Sequence, residues 1–337
     1  MNVLLTSVGR RAYMVKYFKD VLGEDGQVHA CNSDDKTVAF HYADKAVVSP
    51  LIYSEEYIPF LLKYCRENKI GILISLFDID LPILSRHKNK FEEIGTKVIV
   101  SDADIVDICN DKWKTYLFLK DNGFNVPKTY LTLQKTMLAL ECGELKYPIV
   151  IKPRFGCGSI ALSIAEDEMA LLYYYSRNVR TINKSYLKYE SNSVEDKIIY
   201  QECLNGQEYG ADIINDLKGN FRQVNVRKKI AMRAGETDIA ELVDEPKISE
   251  TLERLGKITK HIGNMDVDVF MVDEKPYVLE MNARFGGGYP FSHVGGCNLP
   301  KAIVEWALDK NVSGDSLKQK TNVKIFKELV VVNTKNR

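Results

Sequence analysis

Short apolar runs alternate with longer amphipathic stretches through roughly the first hundred residues. Residues 2–6 (NVLLT), 27–31, 45–48, 71–76 and 97–100 have strand length and strand character. Between them, residues 13–22 place Tyr13, Val15, Tyr17, Phe18, Val21 and Leu22 among charges, and 57–68 and 81–94 show a similar helical pattern. Strands alternating with helices predict a doubly wound parallel sheet. Beyond residue 100 the pattern changes. A helix is expected over 102–124, stopped by Asn125-Val126-Pro127, then a strand over 148–152 and a glycine-bearing turn. A helix follows over 168–175, and 184–197 is polar and reads as an exposed connection. A strand at 198–200 runs into QECLNGQEYGADI, with helices at 250–262 and 300–309. Strands at 267–272 and 275–281 form a hairpin, and 323–332 is a last strand. Mixed hairpins and helices make this second part α+β, and no internal repeat is visible.

At 337 residues the chain is long enough for two or three domains. Lys+Arg and Asp+Glu are 46 each, so nothing in the net charge points to nucleic acid. The seven cysteines include no CxxC pair, and the five histidines are equally scattered, which removes zinc-site spacing. Unpatterned cysteines fit a reducing compartment. The N-terminal apolar run is too short for a signal peptide, and no apolar run approaches the ~18 residues of a membrane span. The expected location is cytoplasmic, with no membrane partner.

Three segments carry candidate chemistry. SVGRRA after the first strand lacks the second and third glycines of a dinucleotide fingerprint, so a plain strand-to-helix turn is the simpler reading. Arg10 and Arg11 there could instead face an anionic group at a helix N-terminus. YPIVIKPRFGCGS offers Lys152 at a strand end, followed by Gly156, Gly158 and Ser159. Backbone N–H groups of such a turn can approach phosphate oxygens, although a tight hairpin with an exposed lysine fits as well. The third segment, VLEMNARFGGG, sets Glu280, Asn282 and Arg284 at alternate positions, hence on one strand face. If the hairpin turns near residues 273–275, Asp268 lies beside Glu280. Two carboxylates and an amide suit Mg²⁺, which is typically held by one or two carboxylates plus substrate phosphates. Arg284 would meet the phosphoryl group. The alternative is a solvated strand face, but a carboxylate in an apolar run needs a partner. Cys157 has no histidine near it in sequence and reads as a small filler.

In chain order the sequence then offers Lys112, Lys152 with its glycine turn, QECLNGQEYG, the basic cluster 227–229, and Asp268-x11-Glu280-x-Asn282-x-Arg284. This succession resembles the ATP-grasp superfamily, and within it short proteins similar to half of a carbamoyl-phosphate synthase large subunit. The resemblance covers roughly residues 1–310 and is most specific in DVDVFMVDEKPYVLEMNARFGGG. It implies a Rossmann-like α/β domain preceding the grasp (1–105), then a linker helix and small lid subdomain (106–199). A larger α+β subdomain with a C-terminal strand follows (200–337).

By the same resemblance, Lys112 and Lys152 contact nucleotide phosphates, and Gly156, Gly158 and Ser159 cover them. Gln201, Glu202, Cys203 and Leu204 read adenine through their backbone, and Glu208 meets the ribose. Asp268, Glu280 and Asn282 hold Mg²⁺ or Mn²⁺, Arg284 is catalytic, and Arg227, Lys229 and Arg233 are anion contacts. Many relatives have Glu where this chain has Asp268. The implied activity is an ADP-forming carboxylate–amine ligase using ATP on small-molecule substrates, with a homodimer allowed. Carbamoyl-phosphate synthesis needs two coupled phosphorylation centres in the family, and this chain has one. The acceptor stays open among amino acids, peptides and sugar-linked carboxylates. The rival functions are an ATP-binding sensor without turnover and a dinucleotide oxidoreductase.

Overall fold

The structure is a computed structural model that describes residues 1–156, 158, 160–191 and 196–333. Its first part follows the predicted alternation. Strands β1 (Asn2–Thr6), β2 (Val28–Asn32), β3 (Lys45–Val48), β4 (Ile70–Ser75) and β5 (Lys97–Val98) form a parallel sheet in the order β3-β2-β1-β4-β5. Helices α1 (Ala12–Leu22), α2 (Tyr57–Glu67) and α3 (Asp80–Glu92) connect the strands. The strand order reverses between β1 and β4, and open α/β sheets place ligands in the crevice beyond the carboxyl ends of such a pair.

The helix expected over 102–124 is two helices, α4 (Ala103–Asn110) and α5 (Lys112–Asp121). Asp111 breaks them: its backbone is extended and its carboxylate caps α5 by accepting from Trp113 N at 3.0 Å. A four-stranded antiparallel sheet follows. It contains β6 (Thr129–Tyr130), β7 (Ile149–Pro153), β8 (Ser163–Ala165) and β9 (Ile198–Glu202) in the order β6-β9-β7-β8. Helices α6 (Leu133–Glu141), α7 (Glu168–Lys184) and α8 (Leu187–Glu190) cover it. Here helix continues past residue 175, and 184–191 is not simply an exposed connection; 192–195 lie outside the described residues. Leu187 and Ser191 are buried, Leu187 within the apolar core of this sheet, so two inward positions in a polar string suffice to dock it. The expected boundary between 199 and 200 falls inside β9.

The third part is a six-stranded antiparallel sheet. Its strands are β10 (Gln207–Asn215), β11 (Phe221–Arg233), β12 (Glu236–Val243), β13 (Gly263–Val272), β14 (Lys275–Asn282) and β15 (Val323–Phe326), ordered β14-β13-β10-β11-β12-β15. Helix α9 (Pro246–Thr259) packs on it, and α10 (Tyr289–Val294) and α11 (Leu299–Ala307) share a core with the first sheet and α1. The predicted strand 323–332 pairs only over four residues. Ile239 opposes Phe326, and one further backbone bond follows, from Lys327 N to Asp238 O at 2.8 Å. The hairpin prediction holds: β13 and β14 turn at Asp273 and Glu274, both at positive φ (46° and 61°), the signature of a two-residue type I′ turn.

Candidate active site

The β13–β14 register sets Asp268 opposite Glu280 and Asp266 opposite Asn282. A bulge between the pairs Val269–Val278 and Asp268–Glu280 leaves Leu279 unpaired. It explains why Val278 and Met281, three residues apart, are both buried, while Leu279, Glu280 and Asn282 line a common cavity. Bulges re-aim side chains in this way beside functional sites. The cavity measures about 230 Å³, far beyond the ~10–15 Å³ that one water needs.

The four-stranded sheet supplies the facing wall. Lys152, at the end of β7, is 5% exposed and lines the cavity with Gly156 and Gly158. Lys112 begins α5, lines the same space and donates its ammonium to the Gly156 carbonyl. Two interactions hold Lys112 there. Its N–H donates to Arg154 O at 3.0 Å, and Arg154 grips Asp111 through Nε at 2.8 Å and Nη2 at 2.7 Å. Leu187 sits where a Cβ on Gly156 would go, and Gly156 has φ 91°, so this position needs glycine twice over. Cys157 and Ser159 lie outside the described residues.

Below the cavity, charged groups alternate in a buried ladder. Asp212 (0% exposed) accepts from Arg227 Nη1 at 2.6 Å, and Arg227 Nη2 donates to Asp266 at 2.8 Å. Asp266 also accepts from Arg284 Nη1 at 3.0 Å, and the other edge of that guanidinium donates to Asp78. A second cluster lies alongside: Lys229 donates to Glu208 and to Asp268, each at 2.6 Å. Gly286 and Gly288 serve the ladder. A Cβ on Gly286 would strike the Asp266 carboxylate, and one on Gly288 or Gly210 would strike the Arg227 guanidinium.

These surroundings tune the ionisable groups. Burial pushes the Asp268 carboxyl up to about 6; Lys229 opposes the shift, and Asp266, Glu280 and Glu208 add to it. Burial also works to raise Glu280, but Lys112 and Lys152 outweigh it and hold that carboxyl below its ordinary value. Burial brings the Lys152 ammonium down to about 8, with Glu280 opposing and Lys112 assisting. Three carboxylates crowd around Asp268, which suits a dication. Among the described residues, no three His, Cys, Asp or Glu converge as a ready metal cage.

The structure thus brings together Lys112, Lys152, Gly156, Gly158, Glu208, Arg227, Lys229, Asp268, Glu280, Asn282 and Arg284 around one cavity. It does not bring all expected residues there. Gln201 is buried and donates to Thr129 Oγ1 at 2.9 Å; Glu202 accepts from Lys128 N at 3.1 Å. With Cys203 and Leu204 they lie at and just beyond the end of β9, outside the cavity lining. Arg233 pairs with Asp238 at 2.5 Å away from the site, and Arg10 is exposed. Arg11 does line the cavity, donating to Leu76 O and to Phe285 O. Sequence reasoning missed Asp266, Asp212, Asp78 and the Asp111–Arg154 pair. Asp266 had a signal, since it alternates with Asp268; Asp78 had none.

No helix among the described residues is long and apolar enough to cross a membrane. Residues 109–288 match the ATP-grasp domain family, and residues 3–99 match the family described as PylC-like, N-terminal domain. The carbamoyl phosphate synthase large chain of Pseudothermotoga lettingae is 28% identical over 307 residues, covering 86% of this chain and 26% of its own. The chain therefore spans about a quarter of that relative's length. Among solved structures, one is the biotin carboxylase domain dimer of Hydrogenobacter thermophilus 2-oxoglutarate carboxylase, in complex with MgADP, ADP and bicarbonate. It aligns with TM-score 0.74 at 15% identity, over 96% of this chain and 73% of that one. N5-carboxyaminoimidazole synthetase from Staphylococcus aureus, complexed with ADP, aligns with TM-score 0.71 at 14% identity, over 93% of this chain and 78% of its own. The fold is α/β plus α+β: a Rossmann-like domain preceding the grasp, then an ATP-grasp fold with a small lid subdomain. With its central match covering more than half its length, the chain belongs to the ATP-grasp family.

Proposed function

We propose that this chain is an ATP-dependent carboxylate–amine ligase that forms an amide through an acyl phosphate. One observation carries the proposal: Asp268, Glu280, Asn282 and Arg284 share a cavity with Lys112, Lys152 and the glycine turn on the facing wall. Cations on one side and crowded carboxylates on the other fit a metal-bound polyphosphate. We divide the chain at 1–105, 106–199 and 200–337, with the nucleotide between the second and third parts.

In this scheme Lys112 and Lys152 bind the phosphates, the turn at Gly156, Gly158 and Ser159 closes over them, and Glu208 meets the ribose. Gln201, Glu202, Cys203 and Leu204 offer backbone to adenine where β9 leaves the small sheet. Asp268, Glu280 and Asn282 would hold Mg²⁺, which supplies charge neutralisation when bound. A substrate carboxylate oxygen attacks the γ-phosphorus, and the bond from that phosphorus to the bridging oxygen of ADP breaks. An amine then attacks the acyl carbon, phosphate leaves, and the amine gives up a proton. Arg284 faces the transferring phosphoryl group, so positioning and preorganised charge do the catalytic work. Lys229 neutralises Asp268 and Glu208 until cation and nucleotide arrive. Arg227, whose Nη1 and Nη2 bond Asp212 and Asp266, supports the wall instead of gripping nucleotide.

A coupled ADP-release screen over pairs of carboxylates and amines tests the proposal. Release that needs both partners and Mg²⁺ is expected; tight MgATP binding with no release over the panel would make the protein a sensor.

The ionisation pattern predicts how MgATP affinity varies with pH. Asp268 must lose its proton to meet a cation, so affinity falls as pH drops through about 6. Lys152 must keep its proton to meet phosphate, so affinity also falls as pH rises through about 8. Calorimetry with a non-hydrolysable ATP analogue should show a maximum between these values, and a flat profile would contradict both roles. Lys152→Met keeps the apolar stem and removes the charge. Loss of that charge-assisted contact should weaken the analogue by about 1.5–3 kcal/mol, and unchanged affinity would leave Lys152 a structural residue.

A further inference from the structure

Arg284 emerges just past β14, in the last sheet, yet one edge of its guanidinium is held from the first. Asp78 lies in the connection between β4 and α3, 206 positions away in sequence. Its Oδ2 accepts from Arg284 Nε at 3.2 Å and Nη2 at 3.1 Å, and its Oδ1 lies 3.0 Å from Nε. Asp266 takes Nη1 on the opposite edge at 3.0 Å. Two carboxylates on two edges of a planar fork fix both its position and its rotation. Both Asp78 (6% exposed) and Arg284 (7%) are buried, so solvent weakens the pair little.

The connection that carries Asp78 is pinned on three sides. Leu76 O accepts from Arg11, Asp78 O accepts from Asn110 Nδ2 at 3.1 Å, and the Phe77 ring meets Tyr186 edge-on at 5.8 Å. Tyr186 immediately precedes α8, whose Leu187 fills the space under Gly156. One short loop at the carboxyl end of β4 thus touches the small-sheet wall of the cavity through Phe77 and the opposite wall through Asp78. Asp78 itself does not line the main cavity.

We infer that Asp78 is a positioning residue for the reaction. It orients Arg284 toward the transferring phosphoryl group and makes that orientation depend on docking of the first sheet against the grasp. This rests on the role proposed above for Arg284. Preorganised donors act through fixed direction as well as charge, and a guanidinium free to rotate loses the first. An Asp78→Asn side chain keeps the volume and an acceptor oxygen. It removes the negative charge and turns an amide donor toward the guanidinium, so the grip is lost while the local field becomes more positive. Ground-state binding of an anionic nucleotide should then not suffer.

The test compares wild type, Asp78→Asn, Arg284→Lys and the double variant, using MgATP, a carboxylate panel and hydroxylamine as the amine. Asp78→Asn should lower kcat for ADP release by about 10–100-fold, the range seen for partners that orient metal ligands. Affinity for a non-hydrolysable MgATP analogue should stay within about twofold, while the melting temperature should fall, because a buried ion pair loses one partner. The double variant should be no slower than Arg284→Lys alone, because the two residues act as one unit. An unchanged kcat in Asp78→Asn would overturn the inference. So would a kcat loss matched by an equal loss of analogue affinity, or effects that multiply in the double variant. A wild type that releases no ADP with any acid would instead remove the ligase proposal, and the inference with it; that outcome is distinct from an active wild type indifferent to Asp78.

Discussion

Arg227→Ala should destabilise the protein by about 3–5 kcal/mol, the usual cost of taking one partner from a buried ion pair. Arg227 is 1% exposed and stands between Asp212 and Asp266. Among the described residues, its removal leaves Asp212 with Ser292 and Asn264 as donors, at 2.7 and 2.9 Å, and no paired cation. Asp266 keeps Arg284 but loses its second cation. Arg227→Lys should rescue poorly, because one ammonium cannot reproduce two donors aimed at two carboxylates. Gly288→Ala attacks the same pair from the other side, since its Cβ would occupy the place of the guanidinium. Each substitution should unfold the protein earlier in chemical denaturant. In the double variant the alanine at 288 has room, so the two costs should not add. Additive costs would show that the glycine is required for some other reason.

Arg284→Ala is the second large effect, and it separates catalysis from binding. An electrostatic donor that acts on the transition state is typically worth about 2.7–4 kcal/mol, or roughly 10²–10³ in kcat. The loss should fall mainly on kcat, with KM for ATP changed much less. Arg284→Lys should recover little, because the pairs to Asp78 and Asp266 use both edges of a planar fork. Near-normal kcat with a raised KM for the carboxylate alone would make Arg284 a substrate clamp. The fold of each variant has to be verified first, because Arg284 also belongs to the buried ladder.

How much of this was legible in the sequence depended on whether charge and burial agreed. The first sheet was plain, because the apolar runs of β1, β2 and β4 are buried and the edge strand β3, though exposed, keeps the same alternation of strand and helix. The β13–β14 hairpin was equally plain, and it carried the pairing of Asp268 with Glu280. Strand β11 was not. Arg227 and Lys229 point toward the site on alternate positions of FRQVNVRKKIAMR, so the inward face of the strand reads as a basic cluster. Asp111 hid a helix break because a capping aspartate between two helical segments looks like one more polar residue of a single helix. The glycines after Arg284 were visible but their reason was not, since it lies in Asp266 and Arg227 beneath them. Asp78 was illegible because its meaning comes from a contact 206 residues away.

Trapping the activated acid tests the central claim most directly. Hydroxylamine captures an acyl phosphate as a hydroxamate whatever the natural amine. The protein would be incubated with MgATP, hydroxylamine and a panel of amino acids, short peptides and sugar-linked acids, with hydroxamate and ADP measured together. Carboxylate activation in this cavity predicts hydroxamate formed in step with ADP for at least one acid, lost without Mg²⁺ and strongly reduced in Arg284→Ala. ADP released with no hydroxamate from any acid would contradict it.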